Sequence, residues 1–316
     1  MGNYFSKIQK GENKVQWYLI GIFLTFAGYF LGQLPLTAVA YLSIQNNNIG
    51  SKQFEEFSRT TDFNLIGIGS NLGLVLLITM FIFAIVGLFY AVKIQKKNFK
   101  DLIFPNDSKI DVGRLAFGFG LWFGLGLVGE VISYFVSPIN YVFHFEALSF
   151  FTLLIICIFL LPIQTSFEEL FFRGYLMQGL ALITKNKIVL MLITSVLFAA
   201  VHGANPEIKE YGIAIMLTYY ITAGIFLALI TIMDGRLELA LGVHAATNFY
   251  GAVISSYGGG VLQTDSLLKS ETINPAVMTL AFIITAIIFV YICYKKYNWR
   301  PLTYILEPIN DQPNDL

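Results

Sequence analysis

The chain has 316 residues, of which 56% are hydrophobic and only 13% are charged. A soluble domain of this length carries about twice that share of charge, so the composition excludes an ordinary soluble protein. The 20 basic and 20 acidic side chains cancel, and we therefore predict no nucleic-acid partner.

Apolar segments long enough to cross ~30 Å of hydrocarbon recur along the chain. They predict an all-α fold, a polytopic bundle of about eight transmembrane helices. The segments lie near residues 16–42, 65–92, 113–136, 148–182, 188–203, 211–232, 237–257 and 275–294. The first is longer than a signal-peptide core, and we interpret it as a retained anchor. In the third, Gly120 and Gly124 have the spacing that lets membrane helices approach closely.

Basic residues fall mainly on one side of this predicted topology. With eight crossings, 16 of the 20 lysines and arginines lie on the side of the two termini, and only Lys52, Arg59, Lys209 and Lys269 lie on the other. The positive-inside rule then predicts that both termini are cytoplasmic. Lysine outnumbers arginine 15 to 5, which is typical of an AT-rich bacterial genome, so we predict a bacterial plasma membrane.

The fourth segment carries three ionisable residues, Glu168, Glu169 and Arg173. Each charge at the centre of a spanning helix costs about 2.5–3.5 kcal/mol unless it is paired or hydrated. Glu169 and Arg173 are four residues apart and share a helix face, so an ion pair is expected. Glu168 projects about 100° away and is left free for chemistry. The alternative is a solvated helix end at the cytoplasmic interface.

His202 ends the fifth segment, with Phe198 one turn earlier on the same face. A lone histidine is often structural. However, Glu168 lies 14 residues before Leu182, and His202 lies 14 residues after Ile188 on the returning helix. Antiparallel helices therefore place both side chains at the same depth, about 21 Å from the turn.

His244 and Asn248 lie one turn apart in the seventh segment. Such a pair can simply bond to neighbouring helices. Yet two of the three histidines of the chain fall in these polar clusters. The third, His144, is predicted in an extracellular loop beside Glu146 and needs no function.

Together, the three clusters resemble the signature of the CPBP family. That family comprises CAAX prenyl proteases of the Ras-converting type and bacterial bacteriocin-processing or self-immunity proteins. The resemblance covers roughly residues 160–250 and implies an eight-helix intramembrane endopeptidase that acts on a peptide or membrane-protein substrate. It also implies the roles of the site residues. Glu168 and His202 would activate a water, His244 and Asn248 would stabilise the oxyanion, and Glu169, Arg173 and Phe198 would support them.

The family also has members described as metalloproteases, and a zinc ion held by Glu168, His202 and His244 is chemically reasonable. There is no His-Glu-x-x-His helix, so we favour a metal-free glutamate mechanism without a cofactor. Cys157 and Cys293 are interpreted as packing residues.

We divide the single membrane domain into three parts. Residues 1–145 form helices without motifs, 146–260 form the catalytic core, and 261–316 form the last helix and a cytoplasmic tail. Two functional alternatives stay open: a non-catalytic immunity or peptide-binding protein, and a proton-coupled transporter. The transporter is disfavoured because no repeat is visible and all the polar clusters lie in one half.

Overall fold

The structure, a computed structural model, describes residues 4–6, 8–104 and 109–310. Lys7 and residues 311–316 of the predicted tail lie outside the described residues. The α-helices are α1 Val15–Leu31, α2 Leu34–Asn46, α3 Ser51–Thr60, α4 Ser70–Ile94, α5 Val112–Val136, α6 Ala147–Phe159, α7 Leu161–Glu169, α8 Met177–Leu180, α9 Lys187–Val201, α10 Pro206–Tyr211, α11 Ile213–Asp234, α12 Glu238–Phe249 and α13 Pro275–Lys296. The strands are β1 Tyr141–Phe143, β2 Ser255–Tyr257 and β3 Leu268–Ser270.

Seven helical spans of the described chain have the length and apolar composition needed to cross a membrane, which confirms an all-α polytopic bundle. Helices α1 and α2 together form the first span. The segment predicted near 237–257 forms α12 and a π-helix that continues to Ile254. It is shorter than the seven spans.

The segment predicted near 148–182 is not one continuous α-helix. Helix α6 ends at Phe159, and α7 begins at Leu161 with Pro162 in its first turn. Proline is tolerated there because the first turn of a helix lacks intrahelical acceptors for its N–H groups. A π-helix over Leu170–Leu176 then joins α7 to α8.

Loops that were predicted to share the basic side meet at one end of the bundle. The backbone N–H of Glu12 donates to Gln95 O at 2.8 Å, and that of Ile309 donates to Lys185 O at 2.8 Å. Arg236 donates to Lys109 O at 2.9 Å. This end is hereafter the basic end. Arg173, which the charge count placed there, is instead fully buried inside the bundle.

The opposite end carries a small sheet that was not predicted from the sequence. Its strand order is β1-β3-β2, with β1 antiparallel and β2 parallel to β3. Beside it, Asp265 accepts hydrogen bonds from Ser149 at 2.6 Å, Ser70 at 2.7 Å and Lys269 at 3.2 Å. Burial raises the pKa of Asp265, but these three hydrogen bonds outweigh it and hold the pKa below its usual value.

Helix α12 packs closely on α5 through glycines. A Cβ at Gly242 would lie 2.2 Å from Leu115 O, and one at Gly118 would lie 2.7 Å from Leu239 O. By contrast, a Cβ at Gly120 or Gly124 would meet nothing within 4 Å, so the predicted close contact at those two positions is wrong. The spacing rule identified the right helix but the wrong face of it.

Candidate active site

The Glu168 carboxylate lies at the centre of the polar cluster. The side chain is on α7, and the residue is only 6% exposed. Its Oε1 accepts a hydrogen bond from Gln164 Nε2 at 2.5 Å, one helical turn earlier. Its Oε2 is buried and has no hydrogen-bond partner among the described residues. A buried carboxylate oxygen without a donor is energetically costly, which makes this atom a candidate for chemistry.

His202 directs one ring nitrogen toward that oxygen. The residue caps the C-terminus of α9, and its Nδ1 lies 2.7 Å from Phe198 O. A carbonyl oxygen only accepts, so the proton is assigned to Nδ1. The lone pair is then on Nε2, which lies 3.9 Å from Glu168 Oε2. This gap is too long for a direct hydrogen bond.

His244 directs its ring toward the same carboxylate from α12. Its Nε2 lies 3.5 Å from Glu168 Oε2, and its Nδ1 lies 2.7 Å from Glu169 Oε1. The two predicted histidines and Glu168 therefore converge on one oxygen atom. Glu169 serves as the second carboxylate that orients the His244 ring.

Glu169 forms the ion pair with Arg173 that the i,i+4 spacing predicts. The two groups are 2.8 Å apart, and both side chains are fully buried. The Arg173 guanidinium also lies 4.5 Å from the centre of the Phe198 ring and donates to Gly224 O at 3.3 Å. These contacts connect three helices behind the cluster.

Asn248 reaches the cluster through a residue that sequence reasoning missed. Its Nδ2 donates to Gln164 Oε1 at 2.7 Å, and Gln164 in turn donates to Glu168. Gln164 lies four residues before Glu168, so the spacing rule that paired Glu169 with Arg173 could have identified it.

Two π-helices flank these residues. One begins directly after Glu169, and the other, Tyr250–Ile254, begins two residues after Asn248. π-helical turns are rare and occur often at functional sites.

An apolar cavity of about 320 Å³ lies beside the cluster, between α5, α6, α7 and α12. Two of its wall residues, Ala245 and Phe249, directly follow His244 and Asn248 in the sequence. The lining residues are Phe119, Phe123, Cys157, Ile158, Pro162, Ala245 and Phe249. A hydrophobic ligand could therefore lie next to the polar cluster.

A zinc ion held by Glu168, His202 and His244 is the alternative to a metal-free centre. Two imidazole Nε2 atoms face one carboxylate oxygen, as they would around a metal. However, no group of three His, Cys, Asp or Glu side chains among the described residues is arranged to hold a metal ion. Glu168, His202 and His244 therefore do not form a metal site in the arrangement that the structure describes.

The bundle and the cluster define a polytopic membrane protein with a carboxylate–imidazole centre between its helices. A family model described as "Type II CAAX prenyl endopeptidase Rce1-like" matches residues 147–250. The chain is 33% identical over 287 residues to "Uncharacterized protein YyaK" of Bacillus subtilis (strain 168), covering 88% of this chain and 92% of that protein. No solved structure matches. The chain belongs to the Rce1-like group of the CPBP family, the intramembrane CAAX-type proteases.

Proposed function

We propose that this protein is an intramembrane endopeptidase that hydrolyses a peptide bond near the membrane face, with Glu168 and His202 activating the attacking water. One observation carries the proposal. The buried Oε2 of Glu168 has no hydrogen-bond partner among the described residues, and the Nε2 atoms of His202 and His244 lie 3.9 and 3.5 Å from it.

The water is the nucleophile in this mechanism. A water that hydrogen-bonds both Glu168 Oε2 and His202 Nε2 fits a 3.9 Å separation, because each bond is then close to its usual length. The water loses a proton to this pair as its oxygen attacks the scissile carbonyl carbon. The tetrahedral intermediate then breaks its C–N bond, and the same proton passes to the leaving amine.

His244 and Asn248 are proposed to stabilise the oxyanion. Asn248 uses one N–H for Gln164 and keeps a second for the oxyanion. His244 can donate from Nε2 only as an imidazolium, because its Nδ1–H already faces Glu169. That form also balances charge, since two buried carboxylates would then face one guanidinium and one imidazolium. Each donor contributes about 3–4 kcal/mol to such a transition state.

The apolar cavity is proposed to hold the hydrophobic part of the substrate. Its volume of about 320 Å³ fits apolar side chains or a section of a lipid chain. Family membership favours a CAAX-type substrate. A substrate with a prenyl group and one without should therefore be compared directly.

Charge placement supports the proposed orientation. The loops that meet at the basic end carry most of the lysines and arginines. We propose that this end faces the cytoplasm of a bacterial plasma membrane, with both termini on that side.

The test uses the full-length protein in lipid nanodiscs and two internally quenched peptides that end in a CAAX sequence, one farnesylated and one not. Wild type should cleave at least one, while Glu168→Ala and His202→Ala should each lose about 10²- to 10⁴-fold in rate. Glu55→Ala, which alters an exposed carboxylate on α3, is the matched control.

Three results would contradict the proposal. Cleavage of neither peptide, together with identical membrane peptides in cells that produce wild type or Glu168→Ala, would exclude this protease function. Biological activity retained by the Glu168→Ala, His202→Ala double variant would favour a non-catalytic immunity or binding protein. Activity lost on exhaustive chelation and restored only by zinc would replace the metal-free mechanism.

A further inference from the structure

A second buried carboxylate lies close to the proposed site, outside the cluster described above. Glu207 is on the short helix α10. A single helical turn that begins at His202, followed by Asn205, leads into this helix. Glu207 is only 1% exposed. Its Oε2 is buried without a hydrogen-bond partner among the described residues. Burying a carboxylate costs several kcal/mol unless other groups compensate, so its surroundings are informative.

Glu207, Tyr220 and Asn205 form a closed hydrogen-bonded triangle. The Tyr220 hydroxyl donates a hydrogen bond to Glu207 Oε1. Asn205 Nδ2 donates to the same oxygen at 3.2 Å and to the Tyr220 hydroxyl at 3.1 Å. The triangle fixes the position of the Tyr220 ring, which lies about two turns into α11, because the only polar atom of this side chain is held from two sides.

The Tyr220 ring stacks on His202. Their ring centres are 4.2 Å apart and their planes are inclined by 27°. The Phe198 ring also contacts the imidazole, with ring centres 4.5 Å apart. The hydrogen bond from Nδ1 to Phe198 O selects which nitrogen faces Glu168, while the two aromatic rings restrict the tilt of the imidazole.

We infer that Glu207 and Tyr220 are a positioning pair, which holds the His202 imidazole with Nε2 directed at Glu168 Oε2. This inference rests on the proposed function, because it assigns His202 the task of accepting a proton from water. The proton acceptor of such a reaction must be held within about 0.5 Å and 10–20° of its working geometry. A displacement of about 1 Å can lower a rate by about 10²-fold.

The pair is tested by variants that separate its hydrogen bond from its bulk. Tyr220→Phe keeps the stacked ring but loses the donor, and Glu207→Ala loses the acceptor. Each should lower kcat about 10-fold and change KM by less than about 2-fold. The double variant should be no worse than either single one, since both remove the same hydrogen bond. Glu207→Gln keeps an acceptor oxygen and should restore kcat to within about 3-fold of wild type.

The matched control is Tyr211→Phe. It removes a hydroxyl on α10, the helix that also carries Glu207, and this hydroxyl donates to Gly258 O at 2.6 Å. The Tyr211 ring contacts Tyr257 and not His202. This variant should keep wild-type kcat and KM. If Tyr211→Phe lowers kcat as much as Tyr220→Phe does, the pair has only a general structural role and the inference fails.

A second readout does not depend on any substrate. Diethyl pyrocarbonate modifies accessible imidazoles, and mass spectrometry distinguishes His202 from His144 and His244. Tyr220→Leu and Glu207→Ala should increase the modification rate of His202 several-fold, while Tyr211→Phe should not. Unchanged modification in all variants would overturn the inference.

The two proposals fail in different ways. If Glu168→Ala cleaves the probe peptides at the wild-type rate, the protease function itself is wrong. Suppose instead that Glu168→Ala is inactive, that Tyr220→Phe and Glu207→Ala match wild type in kcat, and that Tyr220→Leu and Glu207→Ala leave the His202 modification rate unchanged. Then only the positioning pair is wrong.

Discussion

Arg173→Met should destabilise the protein strongly, because Arg173 is half of a fully buried ion pair. Its guanidinium lies 2.8 Å from Glu169, and neither side chain is exposed. The substitution leaves the Glu169 carboxylate buried, with His244 as its only donor among the described residues. It also removes the hydrogen bond to Gly224 O and the contact with the Phe198 ring.

The expected loss is about 3–5 kcal/mol, the usual cost of removing one partner from a buried pair. That is a large fraction of the ~5–15 kcal/mol that separates a typical folded domain from its unfolded chain. Glu169→Gln combined with Arg173→Met removes both charges and should recover more than half of the lost stability. Activity should not recover, since a neutral amide holds the His244 ring more weakly than a carboxylate does.

Reversible unfolding of the purified protein by SDS, followed by tryptophan fluorescence, measures these free energies. The control is Arg59→Met, which breaks the ion pair with Glu210 at the surface, where the side chains are 52% and 40% exposed. That loss should be below about 1 kcal/mol. Equal losses for Arg59→Met and Arg173→Met, or a double variant less stable than Arg173→Met alone, would refute this reasoning.

Three further predictions concern other parts of the molecule. Gly242→Ala should lower the SDS-unfolding free energy by more than about 2 kcal/mol, because the new methyl would meet the backbone of α5, whereas Gly124→Ala should be nearly neutral. Asn248→Ala should lower kcat about 10²- to 10³-fold in the nanodisc assay, and the lost hydrogen bond to Gln164 should lower the unfolding free energy by only about 1 kcal/mol. Asp265 has a lowered pKa, so its stabilisation should be complete above its unfolded pKa of ~3.9 and be lost as pH falls through the lower folded value. Wild type should therefore lose more unfolding free energy than Asp265→Asn between pH ~6 and ~3.

The bundle was predictable because apolar segments of spanning length are the strongest signal that a sequence carries. The equal depth of Glu168 and His202 in the membrane was also predictable from the sequence. It follows from the rise per residue of two antiparallel helices and the position of the turn between them. The π-helix after Glu169 was not, because a single widened turn leaves the apolar pattern of the segment unchanged. The sheet was not predicted because its strands are too short to show an alternating pattern. Each strand has three residues and lies in a loop.

Contacts between helices explain the other differences between the sequence-based predictions and the structure. Gly120 and Gly124 have the expected spacing, but Gly118 is the glycine of α5 that lies against the backbone of α12. Arg173 was counted with the basic loops although its ion pair with Glu169 was predicted, because its burial also depends on Phe198 and Gly224, which belong to other helices. The contact of Tyr220 with His202 has no spacing rule, since Pro206 and α10 redirect the chain between them.

Single-turnover cleavage in oxygen-18-labelled water tests the central mechanism most directly. Water activated between Glu168 and His202 should place one labelled oxygen in the new carboxyl terminus of the product during the first turnover. A first-turnover product without label, together with labelled oxygen in the Glu168 side chain at the end of that turnover, would show that the carboxylate itself attacks the substrate and would contradict the mechanism.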